Sequence, residues 1–353
     1  MKKEIIALAG LALICSCNME ENVLLTESQL PYGAPQFDKI RTSDYMPAFK
    51  KAFADGKAEI DAIVNNPDAP TFENTIEALE YSGNGYAKVA AIFYNVNEAN
   101  TSDEMQQIAE ELAPLENEYS TYINQNEALF ARVKAVYDQR GSLSLEPDRM
   151  KLLTDTYKSF QRNGAELNAE DKKTLSELDE KLSLLTLQFQ KNALASTNAF
   201  TMNITDSAQL SGLPGFIRDM AAETAKEKGM EGWAFDLSAP SYGGFMKYSD
   251  RRDLREKMYR AYNRRAFEDE FDNTETIRQI VDLRYKKAAL LGYRDYAQYQ
   301  TERRMVESPE NVWNFLSRLA DPALPVALDE VAQLKEFAAR NGFEGEELMP
   351  WDF

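Results

Sequence analysis

From residue 43 to about 140, apolar residues recur at the three-and-four spacing of amphipathic helices. Turn signals at Asn65-Asn66-Pro67, Gly83-Asn84-Gly85 and Gly141 predict the breaks between them, and connections this short predict antiparallel neighbours. A longer helix is predicted from Asn168, a cap residue with Asp171 three positions on, to about residue 195. Its stripe of Leu175, Leu178, Leu182, Leu185 and Phe189 lasts about two heptads, which suits the core of a bundle better than a coiled-coil dimer. Segments 199–205 and 232–238 instead alternate apolar with small or polar residues and bracket a helical stretch at 214–228, so they predict strands of a small sheet. Helices resume at 250–267 and 274–291, the second stopped by Gly292, and again after Ser308-Pro309, where a cap serine precedes proline at the first helical position. No helical-solenoid repeat and no low-complexity tract interrupts this pattern. The fold class that follows is mainly α, a multi-helix bundle with a small β-sheet element.

The amino-terminal pattern is of another kind. Lys2 and Lys3 precede an unbroken small-and-apolar run at 5–14, long enough for a signal-peptide core and too short to span a bilayer. The run closes on Ile14-Cys15-Ser16-Cys17, which is similar to the lipobox of bacterial lipoproteins and makes Cys17 the lipidated first residue of the mature chain. An ordinary secreted protein cut nearby is the alternative. The expected organisation is a signal peptide at 1–16, a polar tether with Pro31, Gly33 and Pro35 at 17–36, and a helical body at 37–353. The expected location is the bacterial cell envelope, anchored by lipid rather than spanning, facing the periplasm or on the outer membrane.

Charge and chemistry narrow the functions. The 58 acidic against 40 basic residues give a net charge of -18, which repels nucleic acid and anionic headgroups, so the membrane is expected to be met through the lipid alone. With Cys15 leaving with the signal and Cys17 lipidated, the folded body holds no thiol, which excludes disulfides, cysteine nucleophiles and Cys-ligated metals. Histidine is absent from the whole chain, and with it go the commonest general base and the commonest zinc ligand.

Four constellations remain. The cluster Glu268-Asp269-Glu270-Phe271-Asp272 lacks the glycine and terminal glutamate of a calcium loop and reads as a solvated helix junction capped by Asn273. Arg251-Arg252 through Arg264-Arg265, with Tyr259 and Tyr262 interleaved, could hold phosphate, but Asp250, Asp253 and Glu256 on the same stretch predict internal ion pairing. Gly243-Gly244 and Gly83-x-Gly85 lack the remaining positions of a phosphate loop and read as turns. Among so many carboxylates, no pair is singled out for glycoside chemistry.

Several spread blocks, taken together, resemble one family. They are Thr71-Phe72-Glu73-Asn74-Thr75; Arg162-Asn163-Gly164-Ala165-Glu166-Leu167; Gln188-Phe189-Gln190-Lys191-Asn192; Leu254-Arg255-Glu256; Ala261-Tyr262-Asn263-Arg264-Arg265-Ala266; Leu283-Arg284-Tyr285-Lys286-Lys287-Ala288; Leu290-Leu291-Gly292-Tyr293; and Pro350-Trp351-Asp352-Phe353. Their order and spacing are similar to the peptidyl-dipeptidase and oligopeptidase A branch of the thimet-oligopeptidase-like zinc metallopeptidases. The resemblance implies the amino-terminal portion of a two-lobed, helical ellipsoid whose central channel admits short peptides and excludes folded proteins. It also implies zinc as the cofactor of the intact enzyme, held by a His-Glu-x-x-His helix and a downstream glutamate.

Neither that motif nor any histidine is in this chain, so no catalytic and no metal residue is assigned to any position. In the family those elements lie beyond the Pro-Trp-Asp block. The apolar run 348–353 then reads as uncovered, as in a truncated product, unless it tucks into the bundle. The expected function is the amino-terminal half of a metallopeptidase of short peptides, bearing one wall of the channel, with no zinc and no activity by itself. A carboxy-terminal catalytic half on a separate polypeptide would be its partner. A non-catalytic helical lipoprotein that binds peptides or a partner protein is the alternative.

Overall fold

The computed structural model describes residues 22–345 and 347–353; the signal segment expected at 1–16 and the lipidation site Cys17 lie outside the described residues. The chain divides into two compact units at Ile108 and Ala109. Helices dominate both.

In the first unit, α1 (Thr42–Val64) presents Tyr45, Phe49 and Ile60 to one side, where all three are buried. After a π turn at Phe72–Glu77 and the single turn α2 (Ala78–Tyr81), α3 (Asn84–Ala99) supplies Val89, Ile92 and Phe93 to the same core. Phe93 meets Phe49 edge-on at 5.6 Å between ring centroids and Tyr45 at 5.0 Å, the geometry that ring quadrupoles favour. Packing begins earlier than the expected tether allows. Leu24, in a 3-10 turn at Val23–Leu25, is buried, and Asn22 Nδ2 donates to Asp44 O at 2.7 Å, because a lone leucine beside an apolar helix face is better covered than solvated.

The predicted helical run to 140 is broken at two places the turn signals did not mark. The helix α4 (Asp103–Asn124) starts after Ser102, whose Oγ accepts from Met105 N, and α5 (Glu127–Asp138) starts after Asn126, whose Oδ1 accepts from Leu129 N. Side-chain caps of this kind restart a helix without glycine or proline.

In the second unit, α5 pairs with α6 (Pro147–Arg162), stacking Tyr137 on Tyr157 at 3.9 Å and Phe130 on Phe160 at 5.9 Å. The predicted long helix is α7 (Ala169–Ala199), capped by Asn168 Oδ1 on Asp171 N. Its stripe is buried at Leu175 and Leu178, but Phe189 stays partly exposed. The strands β1 (Met202–Ile204) and β2 (Trp233–Phe235) pair antiparallel, with Met202 opposite Phe235 and Ile204 opposite Trp233. Gly232 must be glycine here: φ is +86°, and a Cβ would stand 2.3 Å from Ile204 O.

Against this two-stranded sheet pack α8 (Gly215–Glu227), α9 (Ala239–Tyr248) and α10 (Arg252–Asn263), around Ile217, Phe235, Phe245 and Met258. The Gly243-Gly244 pair read as a turn lies inside α9. Gly244 sits there because α8 comes so close that a Cβ would reach Ile217 Cδ1 at 2.4 Å. The remaining helices are α11 (Thr274–Leu290), which packs along α7, the short α12 (Tyr296–Thr301) and α13 (Pro309–Arg340). Ser308 caps α13 through Asn311 N, and Pro309 opens it as the sequence predicts.

Candidate functional site

Within the second unit, several of the blocks that carry the family resemblance meet one another, and they meet as supports. Arg162, at the end of α6, reaches the link between α11 and α12: its Nη1 donates to Tyr293 Oη at 2.9 Å, its Nη2 to Tyr299 O at 2.5 Å, and it pairs with Glu302. The guanidinium also lies over the Tyr299 ring at 4.2 Å. Two residues on, Gly164 has φ +85° and lies so close to Leu175 that a Cβ would stand 2.6 Å from its Cδ2, which fixes the turn into α7. Lys287 Nζ pairs with Asp179 at 2.5 Å, joining α11 to α7. In the first unit the Thr71–Thr75 block is a reciprocal cap, in which Asn74 N donates to Thr71 Oγ1 and Thr71 N to Asn74 Oδ1.

The basic helix α10 does more than the internal pairing expected of it. Arg251 pairs with Asp253 at 2.7 Å and Arg260 with Glu256 at 2.8 Å, as the local charges predict. Arg252, however, grips Asp352 with both arms, Nε to Oδ1 at 2.9 Å and Nη2 to Oδ2 at 2.8 Å, while Arg255 Nε donates to Trp351 O at 2.7 Å. Trp351 is 5% exposed and packs under Tyr259 and Arg260, so the Pro-Trp-Asp block tucks in rather than standing bare. The Asp352 side chain is only 3% exposed. Burial pushes its carboxyl up, but the Arg252 guanidinium, the Met349 N–H and the nearby Arg255 outweigh that and hold it below the usual aspartate value.

The acidic cluster is not a solvated junction throughout. Asp269 Oδ2 accepts from Ser196 Oγ on α7 at 2.5 Å and from Ala266 N at 3.0 Å, and Asp269 Oδ1 accepts from Phe271 N. Asp272, not Asn273, caps α11 through Thr274 N at 2.6 Å; its bonds to Thr274 and to Glu268 N hold its pKa low. Asn273 turns inward, donating to Phe189 O and accepting from Asn192 Nδ2, both at 3.0 Å, because the backbone at Ala266 and Glu268 runs through positive φ and folds the loop onto α7. Beside the loop lies a pocket of about 450 Å³ lined by Phe200, Phe267, Phe271, Arg260 and Arg264. Glu256 and Glu268 already pair with its two arginines, so the pocket offers aromatic surface more than free cationic charge.

Zinc demands three or more converging nitrogen, sulfur or carboxylate ligands. Among the described residues no such group of Asp, Glu, Cys or His comes together, and the sequence contains no histidine to supply one. The residues present therefore do not fit the family's zinc site.

Comparison with known proteins places the supports in context. Residues 245–353, from α9 through the Pro-Trp-Asp block, match the family model of peptidase family M3. Across 95% of its length the chain is 35% identical to the dipeptidyl carboxypeptidase of Salmonella typhimurium. The chain belongs to peptidase family M3. Oligopeptidase A of Escherichia coli is another relative of this M3 chain, 32% identical over 94% of it. A thimet-like oligopeptidase of Dictyostelium discoideum is 24% identical over 75%. The M3 chain spans about half the length of the first two relatives, 49% of each.

What sequence reasoning missed in this M3 chain is the Arg252–Asp352 clamp. Both partners lay in or beside quoted blocks, and an aspartate next to a buried tryptophan calls for a cation. Which of many arginines answers, a hundred positions away, is a matter of tertiary contact.

Proposed function

We propose that the intact protein hydrolyses short peptides as a zinc metallopeptidase of the dipeptidyl carboxypeptidase and oligopeptidase A kind, and that residues 22–353 provide its peptide-confining scaffold and not its zinc. The observation that carries this reading is 35% identity with a dipeptidyl carboxypeptidase along 95% of the chain, joined to a side-chain inventory without histidine. The scaffold role follows from the chemistry available. At Arg162, Lys287 and Arg252, cations pair with tyrosine and carboxylate side chains of other elements, which fixes helices in place. Cys17 would carry the lipid that holds the protein at the cell envelope, and short peptides would be its substrates.

The test is elemental analysis of this chain together with a dipeptide-release assay on short peptides. No stoichiometric zinc and no turnover are expected from this chain, and turnover from a polypeptide that adds the His-Glu-x-x-His helix. One tightly bound zinc per chain, or peptide cleavage by this chain at an enzyme's rate, overturns the reading. Turnover absent even when the zinc helix is present would favour the non-catalytic binding protein instead. For the anchor, Cys17→Ser is expected to move the protein from the membrane fraction to the soluble fraction; retention at the membrane overturns it.

A further inference from the structure

The helix α13 is amphipathic, and among the described residues none packs over its apolar side closely enough to bury it. At 100° per residue, Trp313, Phe315, Leu316, Leu319, Leu334 and Phe337 fall within one half of its circumference, while Asn314, Arg318, Asp321 and Asp329 keep to the other. Glu330 alone carries charge into the apolar half. These six apolar side chains are 44–70% exposed, and no residue of the helix is buried. With Val326, which falls in the same half, they expose on the order of 800 Å², above the ~300–600 Å² patch of an ordinary monomer and comparable to the ~800 Å² that one partner gives to a stable interface.

The face is also held ready. Glu310 in its first turn pairs with Arg294 at 3.3 Å, and Phe343 just beyond its last turn lies 5.5 Å from the Arg252 guanidinium. A surface fixed at both ends loses little freedom on binding.

We infer that the apolar half of α13 is the docking surface for the part of an M3 peptidase that this chain does not span, whether joined to it or separate. The inference rests on the peptidase reading above and deepens it by naming the surface. Three observations choose this occupant. All of α13 lies within the segment that matches the family model, and the relatives matched over nearly all of this chain are single polypeptides about twice as long. A second copy would bring another net charge of -18 to the interface, which opposes self-association. A lipid surface would want lysine and arginine along the polar side, where acidic residues outnumber basic ones.

Because Cys15 and Cys17 are the chain's only thiols, changing both to serine gives a background in which single cysteines report exposure. In that full-length background, Leu319→Cys and Leu334→Cys probe the apolar half and Arg318→Cys the polar half. Each is labelled with a maleimide alone, and then with the half of the Salmonella typhimurium dipeptidyl carboxypeptidase that this chain does not match. Alone, all three are expected to label freely at every protein concentration. With the partner half, labelling at Leu319→Cys and Leu334→Cys is expected to slow about tenfold or more while Arg318→Cys is unchanged, since a covered site reacts only on local opening.

Unchanged labelling of the apolar pair overturns the proposal, as does protection that grows with the concentration of this chain alone, which would name a second copy as the occupant. Peptide release by the mixture separates the two readings. Protection without turnover keeps the docking surface and sinks the peptidase; turnover without protection does the reverse.

Discussion

The helices α1 and α13 carry the same kind of sequence and meet opposite fates. Each is long, each has proline inside it, at Pro47 in one and at Pro322 and Pro325 in the other, and each sets an apolar face against a polar one. The α1 face is buried: Ala48, Phe49, Ala52 and Ile60 are all covered, and α1 packs on α3, with Phe49 meeting Phe93. The α13 face is solvent-exposed along its length. Amphipathicity therefore specifies one side of an interface and is silent about who supplies the other. The supplier is set by chain connectivity, which for α1 is a helix twenty residues on.

The sharpest way to break the comparison is to truncate one residue on each face. Phe49→Ala removes a fully buried ring that meets Phe93 edge-on, and should cost about 3–5 kcal/mol by urea unfolding. Leu319→Ala removes a side chain that is 54% exposed, and should stay within about 0.5 kcal/mol. A cost above about 1 kcal/mol at Leu319 would mean that the α13 face is covered in solution by this chain itself, and the contrast would fall.

The second prediction concerns what fastens the chain beyond α13. Asp352→Ala leaves Arg252 and Arg255 without their shared carboxylate and should destabilise by about 2–3 kcal/mol, less than the core truncation because Arg252 stays partly solvated. The clamp should also show in pH dependence. Asp352 is held below the value of a free aspartate, so its stabilisation is complete above about pH 4 and is lost as pH falls through its lower folded value. Stability curves between about pH 5 and 2 should fall less steeply in Asp352→Asn than in the parent chain. Parallel curves would mean that the carboxylate titrates alike in the folded and unfolded chain.

How much of this was legible in sequence follows the range of the interaction involved. Caps and strand patterns act over three or four residues, and Asn168, Ser308 and the two short strands stand where periodicity puts them. Gly243-Gly244 misled because glycine serves two ends, positive φ and close approach, and only the approach of α8 shows which is at work. Asn273 misled because a nearer carboxylate, Asp272, took the capping site and freed the amide to turn inward. The Arg252–Asp352 clamp was out of reach, since nothing local distinguishes it from the salt bridges around it. For the candidate site the sequence spoke through composition: with no histidine anywhere, the zinc chemistry of the family could not be placed on these residues.

The smallest effect repeats the α1 and α13 contrast at the scale of one methyl group. Within α9, Gly243 has open space where a Cβ would project, whereas at Gly244 that Cβ would stand 2.4 Å from Ile217 Cδ1. Gly243→Ala should therefore stabilise the chain by about 0.5–1 kcal/mol, since helix propensity is all that changes. Gly244→Ala gains the same propensity but must push aside the tip of a buried isoleucine, for a net loss of about 1 kcal/mol. Thermal unfolding of the two variants should shift in opposite directions. Adding Ile217→Val to Gly244→Ala removes the obstructing methyl and should recover part of the loss. If both single variants stabilise equally, α8 does not press on α9 as the distance says, and this glycine pair is as uncovered as the apolar face of α13.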